Sequence, residues 1–412
     1  MILGVLGSDR LVTPTNAVLT EVFTGVRPDK VVVLAEEQPK ADVAGLKEVL
    51  AVFGLSPEIS VKVLGHGIRA WKDGLREVDM DLADVTPGRK YMAYAVLEHS
   101  KAKEVRYVYL KEESRGYHVF GYVPFSEVKV YNMRTWEEVP FDPPRTATGL
   151  EMKSKLSPEG LSSLMNLYSL LGEVEVDYSK DPNIRDKAFE EGEKLCRIRA
   201  GFLRFKEEEE VKRLAEDSYF MADTNVYINL GVRLSRLVWA KRSFKLLPSK
   251  SVFKELLEKT STTQRDEAAV KFHLGMDAFR EVHRSPPAVD KSTRFGDEAL
   301  KEEIIALKPY LPENLVLITG DKGLANSARS WGVKHVLLSE LRESGEGDWG
   351  EFVSCIKHFA NVEIRVDGKL MAAVRRSWEV SRETEVEAKD LHYNYPKLLE
   401  RLEEFLGRKR ED

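Results

Sequence analysis

Four acidic residues stand where a carboxylate is either costly or useful. Asp223 follows the apolar run "YFMA" and opens "DTNVYINLG". A charge beside buried residues is unfavourable unless it is paired or put to use. Asp321 follows a second apolar run, "NLVLITG", and between the two lie Glu255, in "SVFKELLEK", and Asp297, in "GDEALKEEIIALKPYL" with Glu298 and Glu302 beside it. Carboxylates crowded together repel one another and cannot all ionise unaided. A divalent cation relieves that repulsion, and hard oxygen ligands select Mg²⁺ or Mn²⁺ over zinc. Such an ion lowers the pKa of a bound water and steadies the charge on a phosphate. The chemistry of the set would therefore be metal-dependent phosphodiester hydrolysis. Each acid also has a structural alternative. Asp223 and Asp297 could be helix N-caps, Glu255 could pair with Lys259 on a helix surface, and Asp321 could be a turn residue before Lys322 and Gly323.

The elements around them must bring these acids together. Both "YFMA" and "NLVLIT" read as strands, and in a parallel sheet functional groups collect beyond the carboxyl ends. Glu255 and Asp297 fall on helices. From Thr224 to Phe253 there is no acid, while Arg233, Arg236, Lys241, Arg242, Lys245 and Lys250 occur with Trp239 among them. Cations with an aromatic suit a single strand of nucleic acid; a solvated helix face is the alternative.

Upstream, "MILGVLGS", "KVVVLAEE", "ISVKVLG", "MDLADVT" and "EVRYVYLK" alternate with helical segments, which indicates a parallel, doubly wound sheet. "HVFGYVPFSEVKVYNM" reads as a hairpin at its edge. The loop after the first strand lacks a full GxGxxG, and no GxxxxGK[ST] occurs, so neither a dinucleotide fingerprint nor a P-loop is present. The informative loop is Thr86-Pro87-Gly88-Arg89-Lys90. There a strand ends, a Pro-Gly turn follows, and two cations enter a helix whose first N–H groups favour an anion.

The second half resembles the PIN-domain nucleases in "ADTNVYI", "VFKEL", "GDEALKEEI" and "LITGDKGLANSARSWGV". The resemblance places that family's acids on Asp223, Glu255, Asp297 and Asp321, with Asn225 and Thr319 in supporting positions. Glu258 is an alternative to Glu255, and Glu298 or Glu302 could supplement Asp297. A second late Asp common in that family is missing, Asn326 or Ser327 standing nearby, so the number of metals stays open. The Thr86–Lys90 loop resembles that of the CRISPR-associated Rossmann fold (CARF) family, with Pro87 and Arg89 departing from its usual Thr-Gly-Gly-Thr-Lys. That resemblance makes Gly7, Ser8, Asp9, Thr86, Gly88, Arg89 and Lys90 the ligand contacts. It implies a cyclic oligoadenylate activator bound by a homodimer. Together the two resemblances imply a regulated endoribonuclease of type III CRISPR immunity, acting on single-stranded RNA through Mg²⁺ or Mn²⁺. Arg233, Arg236, Lys241 and Arg242 would hold the RNA. A DNA-directed nuclease, or a nucleotide sensor whose second half does not cleave, are the alternatives. Arg329 to His335 has the Arg-x4-6-His spacing of HEPN nucleases but crosses a turn into a strand, where that motif requires helix.

The fold class expected is α/β. Residues 1–140 form a Rossmann-like sensing domain, 141–216 a helical connector, 217–345 a PIN-like nuclease domain, and 346–412 a hairpin-and-helix extension. Of the 412 residues, 42% are hydrophobic, enough to bury real cores, and 32% are charged, above the usual level of about 25%. High charge with only two glutamines suits a thermophile. The net charge of −5 argues against a chain coated with nucleic-acid-binding surface. Cys196 and Cys355 form no CxxC, so neither a disulfide framework nor a zinc knuckle is supported and a reducing cytoplasm fits. The first residues lack the basic region of a signal peptide. No apolar run approaches the roughly 18 residues that span a bilayer, so no membrane partner is expected.

Overall fold

A computed structural model describes residues 1–38, 43–241, 243–262, 267–311, 314–378 and 381–407. The chain divides into two units, one of Met1–Asp177, Val362–Val374 and Glu383–Asp412, the other of Tyr178–Asn361 and Arg375–Arg382.

The first unit contains a seven-stranded sheet of β1 (Ile2–Leu6), β2 (Lys30–Ala35), β3 (Glu58–Val63), β4 (Leu82–Asp84), β5 (Glu104–Leu110), β6 (Val128–Asn132) and β7 (Glu138–Val139), in the order β3-β2-β1-β4-β5-β6-β7. β1 to β5 are parallel, and β6 and β7 add antiparallel at the edge. The apolar runs of β1 and β2 are almost wholly buried, as strands covered on both faces must be. The sheet reverses direction of growth between β1 and β4, the place where open α/β sheets bind ligands. Only Val128–Asn132 of the expected edge hairpin is strand. The residues before it form a strap containing two short 3₁₀ turns, Glu113–Tyr117 and Phe125–Glu127.

A five-stranded sheet runs Lys153–Leu156, Thr384–Ala388, Lys369–Val374, Ala360–Val366, Val174–Lys180. Asp367 and Gly368 form the expected turn between its two central antiparallel strands, both at positive φ. This sheet changes the reading of 141–216 as a helical connector. Val174–Lys180 alternates half-buried and exposed residues along its whole length, the period-2 pattern of a strand with one covered face. Its acids, Glu175 and Asp177, lie on the open face, and charge alone does not tell such a strand from a solvated helix.

The second unit is built on a three-stranded parallel sheet, Ser218–Ala222, Asn314–Thr319, Lys334–Leu337, with Asn314–Thr319 in the middle. Phe220, Met221, Val316, Leu317 and Ile318 are fully buried in a core shared with Tyr227, Leu256 and Phe279 from the covering helices. Cys196 and Cys355 are bonded to each other, joining helix Asp186–Ala200 to helix Trp349–Ile356. That corrects the expectation of no disulfide: 159 residues separate the pair, so spacing could not reveal that two helices pack side by side. Among the described residues, no helix is long and apolar enough to cross a membrane.

Candidate functional site

Ala222 pairs with Ile318 in the parallel register, so the residues that follow, Asp223 on one strand and Thr319 to Asp321 on the next, reach the same rim. Asp223 caps helix Thr224–Leu230, its Oδ1 accepting the Val226 N–H at 2.9 Å. Its Oδ2 accepts the Thr319 hydroxyl and, at 3.3 Å, the Gly320 N–H. Asp321 caps helix Lys322–Ser330 through Leu324 N–H at 2.9 Å, and its own N–H donates to Thr319 Oγ1 at 2.9 Å. For Asp321 the capping and functional readings are compatible, since its N-cap bond uses only one carboxylate oxygen; both oxygens of Asp223 already accept hydrogen bonds within the fold. Asp223 is 5% exposed. Burial lifts its carboxyl to about 6, and the charge of Asp321 adds to the rise against the three hydrogen bonds.

Asp297 is the first residue of helix Asp297–Leu307, after Gly296 at φ 91°; the cap position belongs to the glycine. Burial raises its pKa, with Asp321 and Glu298 contributing repulsion. Asp321 thus acts electrostatically on both Asp223 and Asp297. Glu255, on helix Lys250–Thr262, accepts the Thr224 hydroxyl at 2.7 Å. Glu258 instead pairs with Lys254 at 2.7 Å, Glu302 with Arg294 at 3.0 Å, and Glu298 with Lys301 at 3.4 Å.

Asp223, Glu255, Asp297 and Asp321 all line one cleft of about 270 Å³, together with Asn225. Lys259 and Phe272 line it too, the ammonium 5.8 Å from the ring centroid. Phe272 escaped sequence reasoning, because nothing in its local pattern separates a cleft-lining aromatic from a core one. The donors here are carboxylate, hydroxyl and amide oxygens, the hard set that suits Mg²⁺ or Mn²⁺. Among the described residues no three His, Cys, Asp or Glu side chains are grouped closely enough to hold a metal ion as placed. The acids share a cleft without closing into a chelate.

Three cations of the basic stretch are engaged within the fold. Arg233 is nearly buried, donating to Glu208 at 2.6 Å and to the Ile198 carbonyl. Lys241 donates to the Glu216 carbonyl at 3.0 Å, and Lys245 is buried over the Tyr219 ring. Arg236 and Trp239 are exposed, and Arg242 lies outside the described residues. None of Arg233, Arg236 and Lys241 is among the residues lining the cleft. A run of cations read along the chain is blind to Glu208, which precedes it by 25 residues and neutralises its first member.

In the first unit, Gly7, Ser8, Asp9, Thr86, Gly88, Arg89 and Lys90 all line a pocket of about 570 Å³. It opens at the carboxyl ends of β1 and β4, beside the reversal in strand order. Thr86 Oγ1 accepts the Val108 N–H at 2.8 Å, and its own N–H donates to Asp84 at 2.8 Å, so this threonine ties the loop to β5. Gly88 sits at φ 91°, and a Cβ there would come within 3.2 Å of Leu6 and 3.1 Å of Met92. Arg89 takes the N-cap position of helix Lys90–His99 in extended conformation. The strap adds Arg115 and Tyr117 to the wall, and β5 adds Tyr107. Asn16 fixes the strap by donating to the carbonyls of Gly116 and His118 at 3.2 and 3.0 Å. Cations and aromatic rings in one pocket wall suit a phosphorylated, ring-bearing ligand.

No family profile matches the sequence. No curated protein matches it either. Among solved structures the chain is similar to Can2 from Sulfobacillus thermosulfidooxidans in complex with cyclic tetra-adenylate, at TM-score 0.30 and 11% identity, covering 82% of this chain and 95% of that one. It is also similar to protein VC1899 from Vibrio cholerae, at TM-score 0.30 and 9% identity, covering 81% and 93%. Likeness at this level carries no argument about activity.

Proposed function

We propose that the chain is a ligand-regulated, divalent-metal-dependent nuclease of CRISPR immunity, sensing a cyclic oligoadenylate with its first unit and cleaving single-stranded RNA with its second. The observation that carries the reading is the shared cleft of Asp223, Glu255, Asp297 and Asp321. Mg²⁺ or Mn²⁺, when bound, supplies an activated water and neutralises charge on the phosphate. The chain's residues do the rest. Asp321 and Glu255 each keep an oxygen not used by their hydrogen bonds to Leu324 and Thr224, and Asp297 adds a third carboxylate at the first turn of its helix. Thr319 and the Gly320 N–H hold Asp223 in one orientation. Lys259 offers a cation, and Phe272 a ring, for the substrate.

The first unit's pocket, with its Gly88–Lys90 turn, supports an anionic nucleotide ligand. A ligand that binds the active arrangement better shifts the population toward it, and a homodimer is the state in which we expect this to occur. The test is cleavage of labelled single-stranded RNA with Mn²⁺, with and without cyclic tetra- or hexa-adenylate. Cleavage should require both metal and ring, and Asp223→Asn should lower it by two orders of magnitude or more. Equal cleavage by the parent and Asp223→Asn would refute the assignment; labelled DNA in parallel separates an RNase from a DNase. One rival is a nucleotide sensor whose second half does not cleave, and a metal titration showing no binding at the acid cluster would favour it. Metal binding abolished in Asp321→Asn counts against that rival.

A further inference from the structure

We infer that Glu36 reads the ribose 2′-hydroxyl of the ligand held in the first unit's pocket. This rests on the nucleotide reading of that pocket and adds to it the residue that would distinguish ribose from deoxyribose.

Glu36 directly follows β2 and lines the pocket, and its side chain is only 11% exposed. An acid at the carboxyl end of the second strand of an open parallel sheet is placed to accept from a ribose hydroxyl. Three groups are gathered around its Oε1. The Tyr91 hydroxyl donates to it, Arg89 Nη1 stands 3.4 Å away, and His66 Nδ1 stands 3.3 Å away. None of these contacts uses Oε2. The Tyr91 hydrogen bond first, with His66 and Arg89 also contributing, holds the carboxyl below its ordinary range against the effect of burial. The group is therefore ionised at neutral pH and can only accept.

An ionised carboxylate in the wall of a pocket that also offers Arg89 and Lys90 is a poor place for a second phosphate. A hydroxyl is the donor that a nucleotide presents beside a phosphate. In a 3′-linked ribonucleotide the 2′-hydroxyl is vicinal to the 3′-phosphate oxygen. A phosphate engaged by Arg89 brings that hydroxyl to the carboxylate Arg89 already approaches. The Arg89 and Glu36 pair thus matches the phosphate and hydroxyl pair of one ribose. A deoxyribose leaves the carboxylate without its donor, and a 2′-phosphate would place two negative charges together.

The experiment measures dissociation constants of the full chain for cyclic tetra-adenylate and for its 2′-deoxy counterpart, with cyclic hexa-adenylate and its deoxy form alongside. Wild type should prefer the ribose ring by about tenfold or more, the size of one hydrogen bond to a charged group. Glu36→Ala should abolish the preference, and Glu36→Gln, which keeps the shape and one acceptor, should reduce it. A merely structural role for Glu36, through Tyr91 and Arg89, would weaken both rings by the same factor and leave their ratio intact, which would overturn the inference. Equal binding of both rings by wild type overturns it as well while leaving the sensor reading standing. If wild type binds no ring, the sensor reading itself fails and this inference falls with it.

Discussion

One hydroxyl joins two of the candidate acids. Thr319 Oγ1 donates to Asp223 and receives the N–H of Asp321, so the central strand fixes the orientation of the neighbouring strand's carboxylate. Asp223 and Asp321 were legible in the sequence because an apolar strand followed at once by an acid is a local pattern. The choice between Glu255 and Glu258 was not, since one helical turn separates them; Lys254, four residues before Glu258, takes the latter as its partner. Arg233 was misleading for the same reason in reverse, its partner lying far back in the chain. A different buried acid gives a test by pH. Burial pushes Glu21 up to about 8, with Asp84 adding to the rise and Arg106, 2.7 Å away, opposing it. Its folded pKa lies above its unfolded one. Its contribution to stability is therefore full below the ordinary carboxylate range and is lost as pH rises through about 8. The melting temperature should fall from about pH 5 to about pH 8 and level off above that, and Glu21→Gln should flatten that fall in thermal denaturation measured across the range.

At the scale of elements, strand ends and helix starts do the positioning. Parallel pairing of Ser218–Ala222 with Asn314–Thr319 puts both acid-bearing ends on one rim, and the alternation of strand and helix was visible in the sequence because its periods differ. The strands within 141–216 were hidden, because a strand with one open, charged face reads like a polar helix until its partners are known. The turn into helix Lys90–His99 offers a test of the sensor pocket. Gly88 lies in the left-handed region and packs close to Leu6, so a side chain there costs about 1–3 kcal/mol. Gly88→Ala should lower the melting temperature by several degrees and weaken cyclic tetra-adenylate binding by about tenfold or more in calorimetry. Unchanged binding would mean that this loop does not shape the site.

At the scale of the whole molecule, the bond between Cys196 and Cys355 closes a long loop within the second unit. Cross-links of this kind stabilise by about 2–4 kcal/mol through the unfolded chain. A Cys196→Ser, Cys355→Ser double variant should lose stability of that size in denaturant titration, and a reducing agent should destabilise the parent but not the variant. The division into units carries a consequence for the order of synthesis. The first unit is discontinuous, completed by Val362–Val374 and Glu383–Asp412, whereas nearly all of the second lies between them. On the ribosome, every acid of the cleft has been made before the strand Thr384–Ala388 exists to take its place between Lys153–Leu156 and Lys369–Val374. A message interrupted after Arg382 would yield a chain with its acids complete and its five-stranded sheet unfinished. Loss of the residues after Arg382 leaves the first unit, and not the one that carries the cleft, incomplete.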